Sequence, residues 1–189
     1  MAVYQANWEV LKEDLMEVFR RMRGVLADTI LEAQAAFVEG RQILDSVLVA
    51  NEAVEEYRSK GRSGLVFKID FEKAYDYVEW DFLDLVLAKK GFEQKLRRWM
   101  RGCFSSVSYS VFINERPRGK FFTTRGLRQG DPLSPFLFTV VVDILGRMVD
   151  RAVESSLLHR FLIGREKVIV SHLQFANDTM FFVKDECSI

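Results

Sequence analysis

Apolar and polar positions alternate along this chain with two periods, one near 3.6 and one of two, and the switches between them mark its elements. Trp8, Leu11, Leu15, Val18 and Met22 recur at helical spacing and predict an amphipathic helix over residues 1–22. Leu44, Val47, Leu48, Asn51 and Val54 repeat that spacing between Arg41 and Tyr57. Gly61 and Gly64 break the chain, and LVFKID, residues 65–70, predicts a strand ending on an aspartate. Helices follow from about Trp80 to Lys90 and from about Gln94 to Phe104. VSYSVFI, residues 107–113, alternates as a strand does, Asn114 to Pro117 supply a turn, and GKFFTT, residues 119–124, pairs back. Asp131 and Pro132 offer an N-cap and a first-turn proline for a long helix, its apolar side running through Leu133, Phe136, Leu137, Val140, Val141, Ile144, Leu145 and Met148. After Gly164 come a strand and then HLQFANDTMFFV, residues 172–183, two apolar strands around a turn. Helices mixed with hairpins predict the α+β class.

With 189 residues, 29% charged and only three prolines, the chain is long enough for one globular domain with a real core. The longest strongly apolar run without a charge, residues 132–142, is too short to cross a bilayer, and the first 15 residues do not form a signal peptide. Cys103, Cys187, His159 and His172 stand alone, without the clustering that a thiolate or imidazole metal centre needs. Nothing in the pattern fixes an oligomeric state. Formal net charge is zero but unevenly spread: eleven basic residues lie between Lys89 and Arg128 against Glu93 and Glu115. Trp99, Phe104, Tyr109 and Phe121 are interleaved with them, and Lys95, Arg97, Arg98 and Arg101 sit on the second predicted helix. Such a block suits a phosphate backbone and stacked bases. A solvated helix face followed by a charged hairpin accounts for the same composition.

Asp70 closes one strand and Asp178 sits at a hairpin turn, so both carboxylates lie at strand ends. Brought together, two such groups could hold divalent ions about 4 Å apart, one activating a hydroxyl and the other bracing phosphate oxygens. Taken singly, each is an ordinary cap or turn residue. Asn177 beside Asp178 has nearly the shape of an aspartate without its charge.

FKIDFEKAYDYVEWDFL (67–83), RGLRQGDPLSPFLF (125–138) and LQFANDTMFF (173–182), in that order, resemble the central palm motifs of a reverse transcriptase. With QAAFVEGRQILDSVLVANEAV upstream, the pattern is similar to the LINE-type polymerase of non-LTR retrotransposons, in particular the plant form. The resemblance implies a palm-like antiparallel sheet backed by helices, with RNA-directed DNA synthesis as the ancestral activity. It also implies a two-metal Mg2+ site, an RNA template, a DNA primer and dNTP as partners, no membrane, and a nuclear or cytoplasmic location. By resemblance, Asp70 and Asp178 match metal-binding aspartates, Phe71 the position that lends a main-chain oxygen, and Tyr75 the aromatic beneath the incoming sugar. Gln129 and Gly130 match the loop that contacts nucleotide and template.

Three departures carry expectations of their own. Asn177 stands where similar proteins have a catalytic ligand aspartate, so metal binding is expected to be impaired and the chain to be catalytically inactive. The N-terminal helix, residues 1–22, runs into a partial palm domain, residues 23–189, near Arg20 to Gly24, where related proteins carry a fingers segment. The sequence stops soon after the catalytic hairpin, so fingers and thumb are expected to be largely missing. Restoring aspartate at 177 is then not expected to restore robust synthesis by itself. A sheet cut there is expected to expose an edge at the MFFV strand. The other readings are a non-catalytic nucleic-acid-binding fragment and an inert translated remnant.

Overall fold

The computed structural model describes residues 29–185 except 107 and 115, together with Arg20 and Met22. Apart from those two residues, the expected N-terminal helix and its junction lie outside the described residues, as does Cys187. The elements in chain order are α1 (Ile43–Ser59), β1 (Gly64–Asp70), α2 (Trp80–Lys89), α3 (Gln94–Ser105), β2 (Ser108–Ile113), β3 (Arg116–Phe122), α4 (Ser134–Glu154), β4 (Phe161–Ile163), β5 (Val168–Val170), β6 (His172–Phe175) and β7 (Asp178–Lys184). Every strand pairing between them is antiparallel, in keeping with the α+β class. Two compact units divide the chain, one comprising Met1–Leu26 with Lys73–Val140 and the other Ala27–Glu72 with Val141–Ile189.

In the first unit, α2 buries Trp80, Leu83, Val86 and Leu87, and α3 contributes Met100. The Trp80 indole N–H donates to the Gly126 carbonyl at 2.8 Å, and its ring tilts against Phe104. Arg97 reaches Asp84 at 3.0 Å and Arg101 reaches Asp81 at 2.8 Å, tying α3 to α2. The β2–β3 turn is tighter than the sequence pattern predicts, because Ile113 already pairs with Arg116. Asn114 makes that reversal possible with a φ of 48°, a left-handed value that asparagine tolerates.

The second unit holds a three-stranded sheet in the order β1-β7-β6. Residues 33–35 run along the outer side of β6, the Ala35 N–H donating to the Gln174 carbonyl and the Gln174 N–H to Ala33. β7 is therefore the central strand, and the expected open edge at MFFV is not there; β1 is the edge without a strand neighbour among the described residues. The reason is topological: β1 comes from more than a hundred residues upstream to cover β7, which no local pattern reveals. Tyr57 stacks on Phe161 with ring centroids 3.6 Å apart, and Ala53, Ile163, Val170 and Phe182 complete this core.

Two helical faces differ from expectation. In α1 the predicted stripe, Leu44, Val47, Leu48 and Val54, is exposed, and the buried residues are Ala53 and Tyr57. Small side chains admit a neighbour closely, and spacing alone does not say which of two apolar faces meets one. α4 begins at Ser134, so Pro135 rather than Pro132 occupies the first turn, and the Asp131 carboxylate accepts the Leu133 N–H at 2.7 Å just ahead of the helix. Along α4, Met148 is exposed while Phe138, Val142 and Val149 join Leu133, Leu137 and Val140 in burial, so the helix is covered on more than one side. The Asp143 carboxylate is wholly buried there, accepting from the Leu31 N–H and Arg147 Nε, each at 2.7 Å.

A Cβ added to Gly146 of α4 would lie 2.8 Å from His172 Nε2 and 2.9 Å from Leu31 Cδ1, whereas one on Gly102 of α3 would meet nothing within 4 Å. Gly102→Ala is expected to stabilise by about 0.5–1 kcal/mol through helix propensity. Gly146→Ala is expected to destabilise by about 1–3 kcal/mol through overpacking, so denaturant midpoints should move in opposite directions. Burial holds the His172 imidazole below its ordinary 6.5, against the opposing charges of Asp150 and Asp143. Below that value the unfolded chain takes up a proton that the folded chain refuses, so stability falls as pH drops and levels off once the folded imidazole is also protonated. The loss of thermal midpoint between about pH 7.5 and pH 5.5 should be smaller in His172→Gln; an equal loss would assign the acid sensitivity elsewhere.

Candidate active site at the hairpin turn

β1 and β7 place Asp70 directly opposite Asp178. Side chains directly opposite on adjacent strands lie within about 5.5 Å at Cβ, and like charges there repel. Two neighbours relieve that repulsion. The Asn177 side-chain amide donates to Asp70 Oδ1 at 2.7 Å, and the Lys68 ammonium sits 2.8 Å from Asp178 Oδ2. Lys68 falls two residues before Asp70 in β1, and strand alternation puts both on one face. Its hydrogen bond to Asp178, aided by the charges of Asp178 and Asp70, raises the ammonium pKa above its ordinary value.

The turn itself is Ala176 and Asn177, because Phe175 and Asp178 are already paired. So short a reversal holds Ala176 at a φ of 52°, which costs a residue with a Cβ about 1–2 kcal/mol. The Phe71 N–H donates to the Asn177 carbonyl at 3.3 Å, joining the end of β1 to the turn. Asp70, Phe71, Asn177 and Asp178 are thus brought together in the second unit. Asp70 is exposed and Asp178 is about one-third exposed at 37%, so both carboxylates are open to an ion from solvent.

Tyr75, Gln129 and Gly130 belong to the first unit. The Leu127 N–H donates to the Tyr75 carbonyl and the Gly126 N–H to Val78, each at 2.8 Å, so the two loops that carry these residues adjoin. The Tyr75 ring stacks on Phe138 at 4.5 Å and is half-buried, and that burial raises its phenol pKa. Gln129 is exposed, and Gly130 has a φ of 83° with nothing within 4 Å of a would-be Cβ. That positive φ is a backbone conformation that favours glycine. On α3, Arg97 and Arg101 are engaged by Asp84 and Asp81, Lys95 lies over the Trp99 ring, and Arg98 has no ion pair among the described residues.

Magnesium is held by one or two carboxylates with water and substrate phosphates, and Asp70 with Asp178 meets that need for a single ion. A pair of ions needs more negative charge. Among the described residues no group of three His, Cys, Asp or Glu side chains gathers to supply it, and Lys68 already neutralises part of what is present. Sequence reasoning missed Lys68, although the period-two pattern that placed Asp70 also places it.

Residues 10–189 match the family described as "Reverse transcriptase (RNA-dependent DNA polymerase)". An uncharacterized mitochondrial protein of Arabidopsis thaliana is 42% identical over 72 residues, 38% of this chain and 59% of that protein. The retrovirus-related Pol polyprotein from the type-1 retrotransposable element R2 of Nasonia vitripennis is 27% identical over 172 residues, 87% of this chain and 16% of that protein. The chain therefore spans less than two thirds of the length of either relative. In fold, it is similar to telomerase from Candida albicans, solved in complex with a fragment of telomeric RNA, with a TM-score of 0.64 at 12% identity over 89% of this chain and 30% of that one. The architecture is accordingly a polymerase palm-like one.

Replacing Asn177 by Asp removes the N–H donated to Asp70 and sets a third carboxylate beside the pair. In EDTA, Asn177→Asp is expected to cost about 1–2 kcal/mol of stability. Added manganese should recover that loss and raise the thermal midpoint more than it does for the unchanged chain. Equal responses to manganese in the two forms would remove residue 177 from the metal centre.

Proposed function

We propose, for a chain that belongs to the reverse transcriptase (RNA-dependent DNA polymerase) family and is similar to the polyproteins of R2-type non-LTR retrotransposons, that it is the palm of a plant LINE-type polymerase with weakened nucleotidyl transfer. One observation carries the weakening: Asn177 gives Asp70 an N–H where a further carboxylate would strengthen a metal site. The 42% identity to an Arabidopsis protein supports the plant assignment.

In this reading Asp70, Asp178 and the main-chain oxygen of Phe71 hold magnesium. When bound, magnesium lowers the pKa of an attacking hydroxyl and neutralises phosphate oxygens. The chain's own residues do the rest. Asp70 and Asp178 set the position of the reacting phosphate relative to the end of the sheet. Tyr75, steadied by Phe138, supports the incoming sugar of a dNTP, and Gln129 and Gly130 lie against nucleotide and template. The RNA template and DNA primer are the partners. Loss of one unit of negative charge from such a centre raises the barrier by several kcal/mol, which is about a thousandfold or more in rate.

The chain as it stands is expected to give no product in primer extension on an RNA template with magnesium. Product at a rate within about tenfold of an active reverse transcriptase would mean that the Asn177 carbonyl serves as a ligand, and would overturn the weakened reading.

A further inference from the structure

The sequence places the nucleic-acid candidates on α3, yet the ion pairs divide the basic block differently. Arg97 and Arg101 are committed to Asp84 and Asp81 of α2. Arg116 and Arg118 of β3 have no ion pair among the described residues, and the two strands of this hairpin contain no acid. The hairpin is also apolar where a solvated arm would be polar. Every residue of β2 is exposed, including Tyr109 at 36%, Val111 at 53% and Ile113 at 54%, and Phe121 opposite them is 48% exposed. A two-stranded hairpin of this kind is marginal unless something covers it.

Register sorts these residues onto faces. Tyr109 pairs with Phe121 and, beyond a register shift between Tyr109 and Val111, Val111 pairs with Arg118 and Ile113 with Arg116; paired residues share a face, and Tyr109, Val111 and Ile113 alternate onto one side of β2. That face therefore begins with two stacked rings, 5.8 Å apart at their centroids, and continues into two guanidinium groups flanked by aliphatic side chains. Residues two apart on a strand are about 7 Å apart, so Arg116 and Arg118 can meet successive phosphates while Tyr109 and Phe121 offer flat surfaces to bases. A protein partner would bury the rings as well, but it would have to supply acids against Arg116 and Arg118, whereas a nucleic-acid strand carries a phosphate at every nucleotide.

We propose that this face of the β2–β3 hairpin binds single-stranded nucleic acid, by stacking on Tyr109 and Phe121 and by phosphate contacts from Arg116 and Arg118. The site lies within the first unit and needs neither metal nor dNTP, so it stands or falls independently of the catalytic reading.

The test uses the full chain in EDTA, with fluorescein-labelled oligouridylate and oligothymidylate of about 16 nucleotides, followed by anisotropy between about 50 and 200 mM salt. Arg116→Gln with Arg118→Gln is expected to weaken binding roughly tenfold at the lower salt and to flatten the salt slope by about 1.4, two phosphates' worth for a single strand. Phe121→Ser is expected to weaken binding while leaving that slope unchanged. Arg97→Gln with Arg101→Gln should weaken it less than the hairpin pair does. Circular dichroism of each variant confirms that the hairpin change leaves the fold intact.

Four results would overturn the proposal: no binding by the unchanged chain at low salt, a loss concentrated in the α3 variant, duplex bound as tightly as single strands, or hairpin variants that only turn a self-associating species into a monomer. The last would make the face a protein contact.

Discussion

The register between β1 and β7 is the constraint on which the site depends. Side chains in a strand alternate between faces, so a slip of one residue would turn Asp70 away from Asp178 and move Lys68 with it. Seven successive pairs from Gly64↔Lys184 to Asp70↔Asp178 hold that register. Phe67 stacks on its partner Phe181 with centroids 4.9 Å apart, and Gly64 lets the Phe161 ring approach the base of β1, where a Cβ would stand 2.6 Å from it. The other end of β7 is fixed by a turn with room for two residues, at the expense of a left-handed alanine. The position of the two carboxylates is therefore decided by apolar packing well away from them.

Once juxtaposed, the carboxylates need positive charge or donated protons nearby. A palm loaded with ions supplies the first through metal. Here an amide N–H from Asn177 and an ammonium from Lys68 do so from within the chain. Such neighbours stabilise the empty centre, and they compete with an incoming ion for the same oxygen lone pairs. An amide rather than a carboxylate at position 177 thus acts twice, by bringing no negative charge to the pair and by donating to Asp70.

The basic block obeys the same arithmetic of pairing. Its charges look equivalent along the sequence, but ion pairs to α2 take up Arg97 and Arg101, and Arg125 reaches Glu79 at 3.2 Å while lying over the Tyr77 ring. The exposed pairs of Arg101 and Arg125 add little stability. Their larger effect is to leave Arg116 and Arg118 of the β2–β3 hairpin, with Lys89 and Arg98, as basic residues of the first unit that have no ion pair among the described residues.

Local chemistry made much of this chain legible from its sequence. Period-two alternation gave β2, apolar runs bounded by turn signals gave β1, β6 and β7, and the helical patterns gave α1 to α3 within two residues, while α4 runs on to Glu154, past the last apolar position that the pattern marked; Asp70 and Asp178 stood out because both lie at strand ends. The motif boxes carried the family. What lay beyond local pattern was decided by contacts between distant segments: β1 covering β7, residues 33–35 running beside β6, the Ala53 and Tyr57 face of α1 buried in place of the leucine stripe, and Asp143 buried among Leu31 and Arg147. The partners of Lys68 and Asn177 belong to this second class. Sequence fixes which groups can donate or accept, because that is covalent chemistry; which of them meet is fixed by sheet order and register, which are properties of the packed chain.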